Sequence, residues 1–155
     1  MLNKVSDALI CAVEASLNSP DIETKVGAAL LCRDRQVVST NRNGFIDGHC
    51  GSGLPKTRPE KYSYMLHAER RLLFACARQG ISTEGHSIVC TLSPCPDCLR
   101  AIWQAGITEV FFRDRYRNIE QSFEMNDLAV EEEELKHGLY RWTLSIRRAN
   151  GKSNT

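Results

Sequence analysis

Two short segments of the chain carry residue types that bind a metal ion and move protons. They are His67-Ala68-Glu69 and Cys95-Pro96-Asp97-Cys98. Two cysteines separated by two residues let one turn present both sulfurs to a tetrahedral zinc ion, and one histidine completes a set of three ligands. A zinc ion with three protein ligands keeps its fourth position open, which is the arrangement of catalytic sites. The pattern predicts a catalytic zinc held by His67, Cys95 and Cys98.

Glu69 stands two positions after the histidine and is predicted to carry protons rather than bind the metal. Two thiolates donate more negative charge to zinc than imidazoles do, so we expect water at the open position to be a weaker acid there. Such a water needs a nearby base. We predict that Glu69 accepts its proton and passes it to a substrate atom.

Both segments stand where a loop or a strand leads into a predicted helix. The dipole at a helix N-terminus favours anionic ligands and lowers the pKa of thiols there, so Cys95 and Cys98 are disposed to bind as thiolates. A Cys-x-x-Cys pair alone could also be a redox pair or half of a zinc ribbon. A ribbon needs a second ligand pair close by, and a redox pair needs no upstream His-x-Glu. The two segments together therefore favour a catalytic metal.

Hydrophobic periodicity predicts the elements that position these segments. Apolar residues at helical spacing predict an amphipathic helix over 3–17, and apolar runs at 26–31 and 37–40 predict a hairpin. Polar residues and glycines predict an irregular loop from about 41 to 59. The second half is predicted as helix 67–79, strand 86–92, helix 96–105, strand 107–112, helix 120–137 and strand 139–146. Strands separated by helices predict parallel pairing in an α/β fold.

Length and composition restrict the partners. The chain has 155 residues and a formal net charge of +1, which favours one domain over 1–155 and a small substrate over a long nucleic acid. No apolar stretch approaches the length of a membrane span, so we expect a cytoplasmic protein without membrane contact. Seven cysteines, mostly in apolar runs, indicate reduced thiols. We expect a flexible tail over 150–155, and the acidic run at 131–134 is interpreted as the exposed face of a helix.

The His-x-Glu and Pro-Cys-x-x-Cys segments resemble the zinc-dependent cytidine deaminase superfamily. Within it, the chain is most similar to deoxycytidylate deaminases. The segments that carry this similarity are Lys25-Val26-Gly27-Ala28, Asn43-Gly44, Lys61-Tyr62-Ser63-Tyr64, the run 91–98 and Gln104-Ala105-Gly106-Ile107. Two stretches depart from the usual pattern: Asn41-Arg42 stands where glycine and tyrosine are usual, and Arg70-Arg71 where asparagine and alanine are usual.

The resemblance implies a fold and an activity. It implies a three-layer α/β/α sandwich around a mixed five-stranded sheet, a bound Zn²⁺, and hydrolysis of deoxycytidylate (dCMP) to deoxyuridylate (dUMP) and ammonia. It also implies a homo-oligomer, often a hexamer, and regulation by the effectors dCTP and dTTP.

The resemblance further implies a substrate pocket. Asn43 would bond the sugar hydroxyl, Ala28 and the Ala68 backbone would lie beside the base, and Tyr116 would stack on the substrate. The phosphate-binding candidates are Lys25, Arg42 and Arg115, because a nucleotide's negative charges need cationic partners. Structural interpretations stay open: an Asn-Gly turn for Asn43, packing for the alanines and Tyr116, and surface charge for the three cations.

Other interpretations also stay open. Arginines at 113, 115, 117, 147 and 148 would suit a deaminase that acts on transfer RNA or single-stranded DNA. A binding module stabilised by zinc but without activity is a third hypothesis, against which the intact Glu69 argues. His49 and Cys50, with Cys32 or His86, could form a second, structural zinc site.

Overall fold

The computed structural model describes residues 1–148, so the predicted flexible tail over 150–155 lies outside the described residues. The helices are α1 (Leu2–Ser16), α2 (Ala68–Gln79), α3 (Pro96–Gln104) and the short α4 (Glu120–Phe123). The strands are β1 (Gly27–Leu31), β2 (Val37–Arg42), β3 (Ser87–Leu92), β4 (Glu109–Asp114), β5 (Leu128–Glu134) and β6 (Tyr140–Ile146). Short 3₁₀ helices span Glu60–Ser63 and Lys136–Gly138. None of these helices is long and apolar enough to span a membrane.

The strands form one sheet in the order β2-β1-β3-β4-β6-β5, covered by helices on both faces. Successive side chains of a strand point to opposite faces. Ala28 and Leu30 accordingly join the core beneath α2 and α3, whereas Ala29 and Leu31 join the core beneath α1. The predicted three-layer α/β/α sandwich is confirmed.

Helix α1 lies unusually close to the sheet at one glycine. A Cβ atom at Gly27 would lie 1.7 Å from the carbonyl oxygen of Ala12 in α1, so only glycine permits this approach. The β1–β2 hairpin is also confirmed, and Arg35 takes a φ of 61° in its turn. This half of the fold follows the sequence periodicity closely.

The sheet has six strands instead of the five expected, and the predicted helix over 120–137 is wrong. Only Glu120–Phe123 is helical, and Leu128–Glu134 forms the edge strand β5. Glutamate favours helices by itself, but pairing with β6 overrides that preference: Glu132 accepts a bond from Trp142 Nε1 at 3.1 Å, and Glu133 pairs with Arg141. The exposed acidic run at 131–134 belongs to a strand edge, where charge discourages pairing with another chain.

Parallel pairing is confined to β3 and β4. The other neighbours, β1–β2, β1–β3, β4–β6 and β5–β6, are antiparallel. The expected mixed sheet is therefore confirmed, but of the strands in the second half only β3 and β4 have the predicted parallel pairing. The parallel pair has a functional consequence, because the segments that follow β3 and β4 leave the same edge of the sheet. These segments contain Cys95 and Tyr116, respectively.

Candidate active site and metal centre

The three predicted metal ligands stand at the start of two adjacent helices. His67 is the residue before α2, and Cys95 is the residue before α3. Both have extended backbones, and Pro96 begins α3, a position where its missing N–H costs nothing. The two helix starts therefore bring the side chains of His67 and Cys95 close together.

The three ligand atoms form a compact cluster. Nδ1 of His67 lies 3.5 Å from Sγ of Cys95 and 3.3 Å from Sγ of Cys98, and all three atoms lie within 4.8 Å of one another. Ligands of a tetrahedral zinc ion lie about 3.5 Å apart when the metal bonds are 2.0–2.3 Å. Among residues 1–148, no other group of three or more His, Cys, Asp or Glu side chains converges in this way. The donor set and its spacing fit zinc.

The two thiols shift each other's pKa in opposite directions. The hydrogen bond from Cys98 lowers the pKa of Cys95 to about 4, and the same interaction raises the pKa of Cys98. The hydrogen bond with Cys95 also raises the pKa of His67. A bound cation would favour the thiolate form of both cysteines, because coordination deprotonates a thiol.

Glu69 is buried in the first turn of α2, with 4% of its surface exposed. Burial raises the pKa of its carboxyl group, and the opposing attraction of His67 does not offset this. Buried carboxyl groups with a raised pKa are typical of general acid–base catalysis. The structure therefore places Glu69 in the same pocket as the His67 and Cys95 side chains of the cluster.

The cluster opens into a pocket. Asn43, Ala68 and Tyr116 line it together with His67, Glu69 and Cys95. The backbone N–H of Tyr116 donates to Ser93 Oγ at 2.8 Å, which ties the segment after β4 to the segment that leads to Cys95. The remaining lining residues are Asp21, Thr24, Val26, Arg58, Lys61, Tyr62, Met65, Leu66, Leu92 and Ser93.

The Asn43 side chain is fully hydrogen-bonded within the protein. Its Oδ1 accepts from Ser19 Oγ at 2.6 Å and from the Val26 N–H at 3.0 Å, while its Nδ2 donates to Asp21 and to the Thr24 carbonyl. These bonds hold the segment 19–26 against the pocket. Asn43 therefore does more than form the Asn-Gly turn considered from the sequence, because its side chain connects that turn to the segment 19–26.

Several predicted binding residues lie elsewhere. Lys25 is exposed and donates to the Ser19 carbonyl at 2.6 Å, and Ala28 is buried opposite Cys90 in the sheet. Arg42 faces a different surface hollow. Arg115 forms an ion pair with Glu132 at 2.7 Å. The structure thus places Ala28 and the three phosphate-binding candidates, Lys25, Arg42 and Arg115, outside the set of residues that line this pocket.

Sequence reasoning missed a buried ion pair in the pocket wall. Lys61 and Asp21 are each 3% exposed, and the Lys61 ammonium donates to both Asp21 oxygens at 2.9–3.0 Å. Arg58 and Tyr62 lie beside them. Lys61 and Tyr62 stand in a segment that carries the resemblance, but no pattern in the sequence connected Lys61 to an aspartate 40 residues earlier.

The sequence profile of the family described as "Cytidine and deoxycytidylate deaminase zinc-binding region" matches residues 2–113. The chain belongs to this deaminase family. The match includes both segments predicted to bind the metal, and it confirms the resemblance on which the sequence interpretation rests.

The chain is similar to ComE operon protein 2 of Bacillus subtilis. The two are 30% identical over an alignment that covers 77% of this chain and 66% of the length of that protein. Mouse deoxycytidylate deaminase is 32% identical over 67% of the chain and 61% of the relative. The chain thus spans less than two thirds of the length of either relative.

A solved structure has a similar fold. The apo form of dCMP deaminase from cyanophage S-TIM5 matches with a TM-score of 0.64 and 29% identity, covering 77% of this chain and 90% of that one. The same cyanophage protein in complex with dCMP and dUMP matches with a TM-score of 0.59 at the same identity, covering 77% of this chain and 84% of that one.

The residues considered for a second zinc site do not come together in the structure. His49 and Cys50 line one surface hollow, whereas Cys32 and His86 line another. The side chains lie apart because the β1–β2 turn and the loop after β2 are at different places on the surface. Within the described part of the chain, the cluster at His67 remains the only candidate.

Most of the arginines that suited nucleic acid are engaged. Arg113 pairs with Asp114 at 2.8 Å, Arg115 with Glu132, and Arg147 donates to the Phe123 carbonyl. A groove for a polynucleotide backbone needs cations that remain available for phosphates. Few cations along β4 remain available for phosphates in this protein.

Proposed function

We propose that the chain catalyses zinc-dependent hydrolysis of dCMP to dUMP and ammonia. The observation that carries the proposal is the burial of Glu69 beside the cluster of His67, Cys95 and Cys98 within one pocket. The names of the mouse relative and of the cyanophage structure support the substrate. The chain's small net charge and the pairing of Arg113 and Arg115 with carboxylates favour a free nucleotide over a polynucleotide.

In the proposed reaction, His67, Cys95 and Cys98 hold the metal. When bound, zinc supplies Lewis-acid activation of water. The Glu69 carboxylate accepts a proton from the attacking water and delivers it to N3 of cytosine. Glu69 then takes the remaining hydroxyl proton and passes it to the exocyclic amino group. The C4–N4 bond breaks, ammonia leaves, and the ring keeps the new C4 oxygen, so one water is consumed for each ammonia.

The pocket walls would orient the substrate. We propose that the Ala68 backbone lies beside the pyrimidine and that the Tyr116 ring covers the bound nucleotide. Asn43 would bond the sugar hydroxyl by exchanging its longest internal bond, from Nδ2 to Asp21 at 3.3 Å, and would keep its other bonds to the segment 19–26. Positioning of this kind supports catalysis by fixing the reacting atoms relative to Glu69.

We also propose that the chain forms a homo-oligomer, by analogy with the hexamers of the deoxycytidylate deaminases that it resembles. We further propose that dCTP or dTTP regulates its activity. Light scattering measures the first, and rates with added dCTP or dTTP measure the second. A monomer at the assay concentration, or rates unchanged by either triphosphate, would contradict the corresponding proposal.

The proposal is tested by ammonia release from protein with measured zinc content. The substrates are dCMP, dCTP, deoxycytidine, CMP and a single-stranded oligonucleotide that contains cytosine. Preference for dCMP would support the proposal. Activity on the oligonucleotide alone would favour a polynucleotide deaminase, and absence of activity on all five from zinc-loaded protein would favour a binding module.

A further inference from the structure

Two arginines approach one phenol oxygen at the mouth of the pocket. Arg58 Nε donates to the Tyr62 hydroxyl oxygen at 2.9 Å, and Arg117 Nη2 donates to the same oxygen at 3.3 Å. Arg58 precedes the 3₁₀ helix Glu60–Ser63, and Arg117 follows Tyr116 after β4. The contact therefore joins two separate segments that both contribute to the pocket wall.

These two guanidinium groups are less closely paired with carboxylates than their neighbours are. The Lys61 ammonium is matched by Asp21 at 2.9 Å and by Glu23 at 3.2 Å. Arg58 is 3.6 Å from Glu23, and its shorter side-chain bonds go to the neutral oxygens of Thr24 and Tyr62.

Arg117 makes no ion pair within residues 1–148, whereas the nearby Arg113 and Arg115 each have a carboxylate within 2.8 Å. Positive charge is thus in excess at the mouth of the pocket.

A phosphate would be a stronger acceptor for these groups than a phenol. Hydrogen bonds between arginine and an anionic oxygen are shorter and about twice as strong as bonds between neutral groups, and guanidinium matches the geometry of a phosphate. Because both arginines reach one oxygen, one phosphate group can accept from both. The Tyr62 hydroxyl holds the acceptor position that a phosphate oxygen would take.

The location suits the outer end of a nucleotide. Glu69 and Cys98 are buried beside the metal-binding atoms, whereas Tyr62 is 49% exposed. A nucleotide with its base against Glu69 extends its sugar and then its phosphate towards solvent. This direction leads from the metal cluster to the arginines at the mouth.

We infer that Arg58 and Arg117 together bind the terminal 5′-phosphate of the substrate and give the enzyme its preference for a nucleotide over a nucleoside. This inference rests on the proposed function and names the residues that select its substrate. It assigns the role to two arginines other than Lys25, Arg42 and Arg115.

The experiment compares Arg58→Gln, Arg117→Gln and the double variant with the wild type. The matched control is Arg113→Gln, since Arg113 is close in the chain to Arg117 but is held by Asp114. We expect kcat/KM for dCMP to fall about tenfold for each single variant and about a hundredfold for the double variant. For deoxycytidine, we expect changes below about threefold, because the nucleoside lacks the phosphate. The control should behave as the wild type with both.

Binding provides a readout that does not depend on catalysis. Calorimetry with dUMP and deoxyuridine should show tighter binding of dUMP by the wild type and nearly equal binding of the two by the double variant. Equal losses with dCMP and deoxycytidine, a retained preference for dCMP in the double variant, or no preference for dUMP in the wild type would each overturn the inference.

The outcomes separate this inference from the proposed function. If the zinc-loaded wild type releases no ammonia from any substrate but still binds dUMP through the two arginines, the function fails and the phosphate site stands. If it deaminates dCMP and deoxycytidine equally, the activity stands and the phosphate site fails. A cytosine oligonucleotide without a terminal phosphate distinguishes the monophosphate from a phosphodiester. Deamination of that oligonucleotide with the same loss in the double variant would overturn the assignment to a terminal phosphate.

Discussion

Sγ of Cys98 lies 3.3 Å from Nδ1 of His67, although 31 residues separate them in the chain. The contact depends on two helices, α2 and α3, that begin at the same edge of the sheet. A zinc ion held at this point would connect both helix starts. The site should therefore contribute to stability as well as to chemistry.

The proposed division of roles predicts that Glu69→Gln removes turnover but leaves the metal. We expect turnover to fall by about a hundredfold or more, since general acid–base catalysis contributes about 10²–10⁴ to enzyme rates. The zinc content and the Tm should stay close to those of the wild type, because glutamine preserves the shape of the buried side chain. Mass spectrometry for zinc, thermal unfolding and ammonia release measure the three quantities. Loss of zinc from this variant would show that Glu69 binds the metal.

Substitution of a proposed metal ligand should instead remove the metal and lower the stability. Cys98→Ala should lose zinc and lower the Tm, because binding of a structural or catalytic metal adds to the free energy of unfolding. Chelation should lower the Tm of the wild type, and added zinc should restore it, but neither treatment should affect Cys98→Ala. The control is Cys50→Ala, since Cys50 is exposed and outside the cluster. A second zinc per chain that disappears in Cys50→Ala would contradict the single-site assignment.

The buried pair of Asp21 and Lys61 should stabilise the pocket wall. Asp21→Asn leaves the Lys61 ammonium without its closest carboxylate, so we expect the free energy of unfolding to fall by about 3 kcal/mol. Chemical denaturation measures this loss. Asp114→Asn is the control, because Asp114 forms only an exposed pair with Arg113, and such pairs contribute about 0–1 kcal/mol. Similar losses in both variants would contradict the importance of burial.

The same aspartate predicts a pH dependence. Burial raises the pKa of Asp21, but hydrogen bonds from Lys61 and from the backbone N–H groups of Thr24 and Glu23 outweigh it, so the pKa lies below its ordinary value. A lowered folded-state pKa adds stability above the unfolded-state pKa of about 4, and that stability is lost as the pH falls towards the folded-state value. Asp21→Asn should therefore lose less stability than the wild type on acidification below about pH 4. Parallel stability curves for the two proteins in this range would contradict the prediction.

Gly27→Ala should destabilise the packing of α1 on the sheet. The new methyl group would overlap the Ala12 carbonyl, and overpacking against backbone cannot be relieved by a side-chain rotation, so we expect a loss of about 3 kcal/mol. Gly53→Ala is the control, because its Cβ would have no neighbour within 4 Å and only the positive φ opposes it. That variant should lose about 1 kcal/mol. Urea unfolding distinguishes the two, and equal losses would show that α1 can shift.

Local patterns predicted much of this architecture. The periodicity of α1, the β1–β2 hairpin and the helices after His67 and Cys95 were all predictable, because their side chains alternate with the period of the element they form. The clustering of His67, Cys95 and Cys98 was predictable for a related reason. The Cys-x-x-Cys spacing and the helix starts are local, and they restrict the geometry before any distant contact forms.

Other features depended on contacts between distant residues. Leu128–Glu134 has a helix-favouring run of glutamates, yet pairing with β6 makes it a strand, since tertiary contacts outweigh weak intrinsic preferences. The charged residues at the pocket mouth could not be chosen from the sequence. Whether an arginine is available to a ligand depends on which carboxylates the fold brings near it. Arg115 forms an ion pair with Glu132, whereas Arg58 and Arg117 both donate to the Tyr62 hydroxyl. Local spacing thus predicted the candidate metal cluster, and the tertiary structure alone decided which cations lie at the mouth of the pocket.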